Sequence, residues 1–157
     1  MSNILLTRID SRLCHGSLIE IWSKQVDFDT VVIANDRVEK DLFSQELMKS
    51  TIDKDIDLVF LKTRDLKTYL NGNIDKKIFL LVETTDDLIK IINDKVKIDQ
   101  VDVGVIHLSL GKKLLTEQVA VDKKDLDNFS SMVDKGMDVY IQEGPFSRKK
   151  PIKEFFI

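Results

Sequence analysis

Short apolar runs alternate with longer amphipathic segments along this chain. The runs at residues 4–9, 30–34, 57–61, 78–82, 101–105 and 138–141 are rich in Val, Ile, Leu and Phe, with few polar interruptions. Runs of that length, apolar at successive positions, predict strands buried on both faces. Between them the apolar spacing changes to three and four. Leu18, Ile21 and Trp22 follow Gly16; Leu42, Leu47 and Met48 follow Asp41; Leu66, Tyr69 and Leu70 precede Gly72. Each set predicts a helix with one apolar face. Two helix starts carry visible caps: Asp86 or Asp87 ahead of Leu88, Ile91 and Ile92, and Asp122 ahead of Leu126, Phe129 and Met132, with Gly136 as the stop.

Strands alternating with helices predict an α/β fold: an open, mainly parallel sheet with helices on both faces. Residues 108–121 break the rhythm. There Gly111-Lys112-Lys113 precedes Leu114 and its followers, which predicts a turn and a further, antiparallel edge strand. Pro145 and Pro151 bracket a polar stretch that reads as a mobile loop before Phe155 and Phe156. The chain shows no internal repeat, low-complexity tract or linker.

Composition narrows the classes further. At 157 residues the simplest organisation is one domain over 1–157, large enough to bury roughly 70% of its unfolded surface without a staple. The 24 Lys+Arg against 27 Asp+Glu give no basic excess of the kind that marks nucleic-acid binding. Pairs such as Lys112-Lys113, Lys123-Lys124 and Lys149-Lys150 read as solvated faces. Cys14 is the single cysteine, which excludes an internal disulfide framework and fits a reducing compartment. The opening residues look too short for a signal peptide, and no apolar stretch approaches the ~20 residues of a membrane span. The expectation is a soluble, cytoplasmic protein.

The chemistry concentrates just after the first predicted strand, in Arg8-Ile9-Asp10-Ser11-Arg12-Leu13-Cys14-His15-Gly16. An ordinary imidazole has a pKa near 6.5, so at neutral pH one ring nitrogen is free to attack. A transferring phosphoryl group spreads negative charge over its equatorial oxygens, which favours flanking cations and N–H donors. Arg12 and Arg8 can offer bidentate donors that lysine cannot reproduce. Gly16 leaves room for close approach and opens a helix whose first N–H groups suit an anion. Asp10 can orient Arg8, Arg12 or the imidazole, or simply close the turn. A lone loop histidine is more often structural than catalytic, so chemistry alone leaves the phosphoryl reading level with an idle turn. Cys14 beside His15 suggests a thiol nucleophile, but neighbours in an extended loop seldom face each other, and packing suits Cys14 better. His107, Asp36, Thr84 and Thr85 follow other predicted strands and would share the sheet edge with the loop if those strands are parallel. Asp36 and Asp41 read as caps or surface charges before cation ligands. No metal cluster, P-loop or dinucleotide fingerprint stands in the sequence.

The stretch from Asn3 to Gly16 resembles the opening of IIB components of the mannose/fructose/sorbose family of the bacterial sugar phosphotransferase system. Those typically read Arg-Ile-Asp-x-Arg-Leu-x-His-Gly-Gln, then a helix with a Trp, as at Trp22. The resemblance continues in order and spacing through residues 31–36, residues 78–82 with Thr84, Val101-Asp-Val-Gly104 with His107 and Gly111-Lys112, and residues 139–142 with Pro145. It implies that His15 carries the phosphoryl group, on Nδ1, as a protein-phosphohistidine–sugar phosphotransferase. The donor would be a phosphohistidine on a IIA domain, and the acceptor a sugar held by membrane IIC and IID subunits. Arg8, Asp10, Arg12 and Gly16 match the family's active loop, and Ser17 and Thr84 fall where further phosphoryl contacts are expected. No metal or cofactor is implied. Ser17 replaces the usual Gln and cannot reach as far, Cys14 replaces an aliphatic residue, Thr85 a common Pro, and Glu39-Lys40-Asp41 the usual Ala-Asn-Asp. The spelling of residues 3–10 leans to the N-acetylgalactosamine branch. Two rivals stay open: a receiver-like module phosphorylated on Asp36, lacking the acidic pair such modules need, and a non-catalytic regulatory binder with the same fold. A homo-oligomer is left open as well.

Overall fold

The computed structural model describes residues 3–156; Met1 and Ser2, part of the leader reading above, lie outside them. The first apolar run is β1 (Ile4–Asp10), and the others follow as β2 (Thr30–Ala34), β3 (Asp57–Leu61), β4 (Ile78–Val82), β5 (Gln100–Val105) and β8 (Asp138–Ile141). Two-residue pieces complete the set: β6 (Lys113–Leu114), β7 (Ala120–Val121) and β9 (Lys150–Pro151). The helices are α1 (Leu18–Ser23), α2 (Leu42–Lys49), α3 (Leu66–Gly72), α4 (Thr85–Asn93) and α5 (Lys123–Asp134).

Among the described residues seven strands form one sheet in the order β3-β2-β4-β1-β5-β8-β9. All the pairings are parallel except β8 with β9. The alternation of side chains splits the core into two layers. Ile9, Val32, Leu80, Val103 and Val139 face one layer, covered by Leu66 of α3, Leu88 and Ile91 of α4, and Phe129 and Met132 of α5. Leu6, Val31, Ile33, Phe79 and Leu81 face the other, covered by Ile19 and Trp22 of α1 and Met48 of α2. Both faces of the central strands are therefore dry, which is why their sequences lack polar alternation.

The helix after β1 thus lies on one face, while those after its neighbours β4 and β5 lie on the other. A crevice opens at the carboxyl ends of the strands where flanking helices part in this way. The loop after β1 sits there.

Three local expectations are revised. The antiparallel edge strand of the main sheet is not in 108–121; it is β9, in the tail read as a mobile loop. There Tyr140 pairs with Pro151 and Ile141 with Lys150, and the Gln142 amide donates to the Ser147 carbonyl at 2.9 Å. Proline is tolerated at such an edge because it owes no ladder N–H. Residues 108–121 instead build the separate hairpin β6–β7, joined to the end of β5 by a bridge between Ile106 and Val119. Finally, α4 is capped by Thr84, whose hydroxyl accepts from the Asp87 N–H at 3.1 Å, rather than by Asp86 or Asp87. Asp122 caps α5 as expected, within a reciprocal capping box with Asp125.

Candidate functional site: the loop after β1

On β1, Leu6, Arg8 and Asp10 share one face, but only Leu6 is apolar. A guanidinium and a carboxylate directed into a protein interior need partners to offset their lost hydration. Arg8, 1% exposed, finds them on the neighbouring strand and beyond it. Its Nη1 donates to Asp102 Oδ2 at 2.7 Å and to the Gln142 carbonyl at 3.1 Å, and its Nη2 to the Glu143 carbonyl at 3.0 Å. Its Nε faces Asp10 Oδ2 at 3.5 Å, and the guanidinium carbon lies 5.3 Å from the centre of the Trp22 ring. Room for this group comes from Gly104. Any Cβ there would run into the guanidinium, and the β1–β5 register slips between Ile9 and Asp10, opposite that glycine.

Asp10, with no exposed side-chain surface, divides its two oxygens. Oδ1 accepts from the Arg12 N–H at 2.9 Å and faces Arg12 Nε at 3.4 Å. Oδ2 faces His15 Nε2 at 3.4 Å. The turn between them is held by Leu13 N–H to the Asp10 carbonyl and Ser11 N–H to the Val105 carbonyl. Leu13 (φ 56°) and Gly16 (φ 49°) both occupy the left-handed region, which costs a bulky side chain such as Leu13 of order 1–2 kcal/mol. Burial of Leu13 in the layer under α1 offsets that cost. A Cβ on Gly16 would meet nothing within 4 Å, so the backbone angle, not crowding, calls for glycine.

The result is a histidine 28% exposed, with Nε2 turned to a buried carboxylate and Nδ1 without a hydrogen bond among the described residues. Burial pulls its pKa below the ordinary value; Asp10 pushes the other way, and Arg12 and Arg8 add to the lowering. The ring is therefore neutral near pH 7, with the proton on Nε2 favoured by Asp10 and a lone pair on Nδ1. Arg12 stands beside it, 44% exposed. The N–H groups of His15, Gly16 and Ser17 have no acceptor among the described residues, and the Ser17 hydroxyl makes no capping bond. A neutral imidazole, a guanidinium held to Asp10 through Nε alone and unspent amides together suit capture of a tetrahedral dianion.

The candidates after β2, β4 and β5 follow parallel strands and share this sheet edge, as expected. Arg8 is the main correction: expected to neutralise phosphoryl oxygens, it is 1% exposed with both terminal nitrogens spent on Asp102 and two carbonyls, so it has no surface to offer them. Thr84 spends its hydroxyl on the α4 cap, and Thr85 donates to Asp125 at 2.7 Å. Asp36 accepts from the Thr63 N–H and hydroxyl, ties β2 to β3, and is held below the usual carboxylate range by those bonds. Cys14 is buried near Thr51, its thiol pushed up by burial, and is a packing residue. His107 is exposed. Its N–H donates to the Ser11 hydroxyl at 3.0 Å, and it lines a cleft of about 290 Å³ with Arg12, Leu108, Leu114 and Glu117.

The family described as the PTS system sorbose subfamily IIB component matches residues 4–157. The chain belongs to that family. It is 32% identical over 154 residues to the N-acetylgalactosamine-specific phosphotransferase enzyme IIB component 1 of Escherichia coli K12, covering 97% of this chain and 98% of that one. It is 29% identical over 132 residues to the sorbose-specific EIIB component of Klebsiella pneumoniae, covering 82% and 80%. The crystal structure of the Escherichia coli component superposes with a TM-score of 0.88 at 31% identity, over 94% of this chain and 97% of that one. The IIBSor domain of the Klebsiella pneumoniae sorbose permease has the same fold, with a TM-score of 0.91 at 24% identity over 98% and 95%.

In this IIB chain the sequence left Asp102 and Gly104 without a role. Both had a signal. A carboxylate in the middle of Val101-Asp-Val-Gly, a run apolar enough to be buried, demands a buried cation nearby. A glycine inside a strand marks a close approach. What the sequence could not say is that Arg8, 94 residues away, supplies both the cation and the approach.

Proposed function

We propose that this chain is the phosphohistidine relay of a sugar phosphotransferase system, with His15 as the acceptor. The reading rests on one observation: Asp10 faces Nε2 of a part-exposed His15, whose Nδ1 makes no hydrogen bond among the described residues. In the forward step the Nδ1 lone pair forms a bond to phosphorus as the bond from phosphorus to the donor histidine nitrogen breaks, its electron pair staying on the donor ring. Nε2 keeps its proton, so the His15 ring gains a positive charge that the Asp10 carboxylate stabilises. Arg12 and the amides of residues 15–17 take the charge on the phosphoryl oxygens. The protonated ring is then a good leaving group when a sugar hydroxyl attacks.

Family membership supports a IIA domain as donor, IIC and IID membrane subunits as the holders of the sugar, and work at the cytoplasmic face. No helix among the described residues is long and apolar enough to cross a membrane. The relatives named for N-acetylgalactosamine support an amino sugar as the final acceptor.

The test is incubation with phosphoenolpyruvate, the general phosphocarrier chain and a IIA donor, followed by mass spectrometry. One phosphate on His15, lost in acid and kept in base, is the expected result. His15→Ala should take up none while keeping its fold. Normal labelling of the alanine protein, or a base-labile label on Asp36, would refute the assignment. Membranes carrying IIC and IID then report whether the group passes to N-acetylgalactosamine in preference to sorbose.

A further inference from the structure

The relay leaves Asp102 unused, yet its burial is total and its surroundings are unusual. Oδ2 takes one arm of the Arg8 guanidinium at 2.7 Å. Oδ1 is buried with no hydrogen-bond partner among the described residues, and so is Arg8 Nε, the atom turned towards Asp10. Arg8 therefore closes its short charged bond on Asp102 and only an open 3.5 Å contact on Asp10. One guanidinium stands between two buried carboxylates, and the second of these faces the histidine ring. The other charged or titratable groups bearing on Asp102 are Lys149, from the segment after β8, and the Tyr140 phenol on β8. Those bearing on His15 are Asp10, Arg12 and Arg8.

We infer that Asp102 is a positioning residue for phosphoryl transfer: by drawing the charge of Arg8 onto itself, it leaves Asp10 anionic enough to hold the proton on His15 Nε2. Without it, the whole Arg8 charge falls on Asp10. The Asp10–Nε2 contact weakens, and the positive ring formed in the transfer loses support. The inference rests on the relay reading for its consequence, but its electrostatic core concerns the resting protein alone.

The experiment is an NMR titration of the His15 ring in unphosphorylated protein, which needs no donor, so it stands even if labelling fails. Asp102→Asn should lower the His15 midpoint by about half a pH unit, and the same substitution in an Asp10→Asn background should leave it unmoved. With the IIA donor, Asp102→Asn should slow phosphoryl uptake about threefold at unchanged donor KM, the same shift read as a rate. A folded Asp102→Asn protein with the wild-type midpoint overturns the proposal. So does an equal shift without Asp10, which would make the effect a direct field. If the variants do not fold, the wild type decides. Besides its own step near pH 6, the Asp102 carboxyl carbon signal should show a second inflection at the His15 midpoint, by the reciprocity of coupled sites, and a curve with its own step alone overturns the proposal.

Discussion

At the scale of single residues, Arg8 and Arg12 have opposite environments. Arg12 is anchored through its backbone N–H and Nε to Asp10, which leaves its terminal nitrogens turned out. Arg8 is consumed by Asp102 and two carbonyls. Replacing Arg12 by Lys keeps the charge but removes the planar fork and the Nε anchor. Phosphoryl uptake from a IIA donor should then slow by about a hundredfold, with little change in donor affinity. Rapid-quench kinetics separate the two, and an unchanged rate constant would remove Arg12 from the chemistry.

At the scale of elements, α4 and α5 end in the same way. In each, the residue after the C-cap is left-handed and donates to the carbonyl three back, while the next residue reaches five back. These pairs are Lys95 to Ile92 with Val96 to Ile91, and Gly136 to Val133 with Met137 to Met132. In α5 the left-handed position is glycine at φ 90°; in α4 it is an exposed lysine at φ 69°. An L side chain there is strained, whereas glycine only adds freedom to the unfolded chain. Lys95→Gly should therefore stabilise the protein by about 0.5–1 kcal/mol, raising Tm by about 1–4 °C. A calorimetric scan checks it, and a lowered Tm would mean that the lysine side chain supports the cap.

At the scale of the whole molecule, the buried charges give stability a pH dependence of two signs. Burial pushes Asp102 up to about 6, with Arg8 only partly countering it. Between about pH 4 and pH 6 the folded chain thus keeps a proton that the unfolded chain has released. That group's contribution to stability falls as pH rises through this window. His15 runs the other way. Its folded pKa lies below the ordinary 6.5, so the unfolded chain binds the proton first and stability falls as pH drops below 6.5. Urea midpoints at pH 4.5 and 6.5 should show a wild-type slope that Asp102→Asn shifts towards greater stability at the higher pH. A parallel slope in the two proteins would contradict the raised pKa.

Apolar runs located six strands, and helical spacing located the five α-helices among the described residues, because both signals are local and depend only on what each segment must bury. The proposed acceptor loop was visible for the same reason: His15, Arg12, Asp10 and Gly16 lie within seven consecutive residues, although their types alone left a phosphoryl site level with an idle turn. The partners of Arg8 were not legible. Its fate depends on Asp102 and on the carbonyls of Gln142 and Glu143, brought together only when β5 and β8 stack beside β1. The short strand β9 was hidden too, because two residues with a proline carry no periodicity, and only an open edge on β8 gives them a place. Residue types and local spacing thus determined the elements and singled out the loop after β1. Tertiary structure alone decided which charge faces solvent and which is buried, because burial and pairing come from strands distant in sequence.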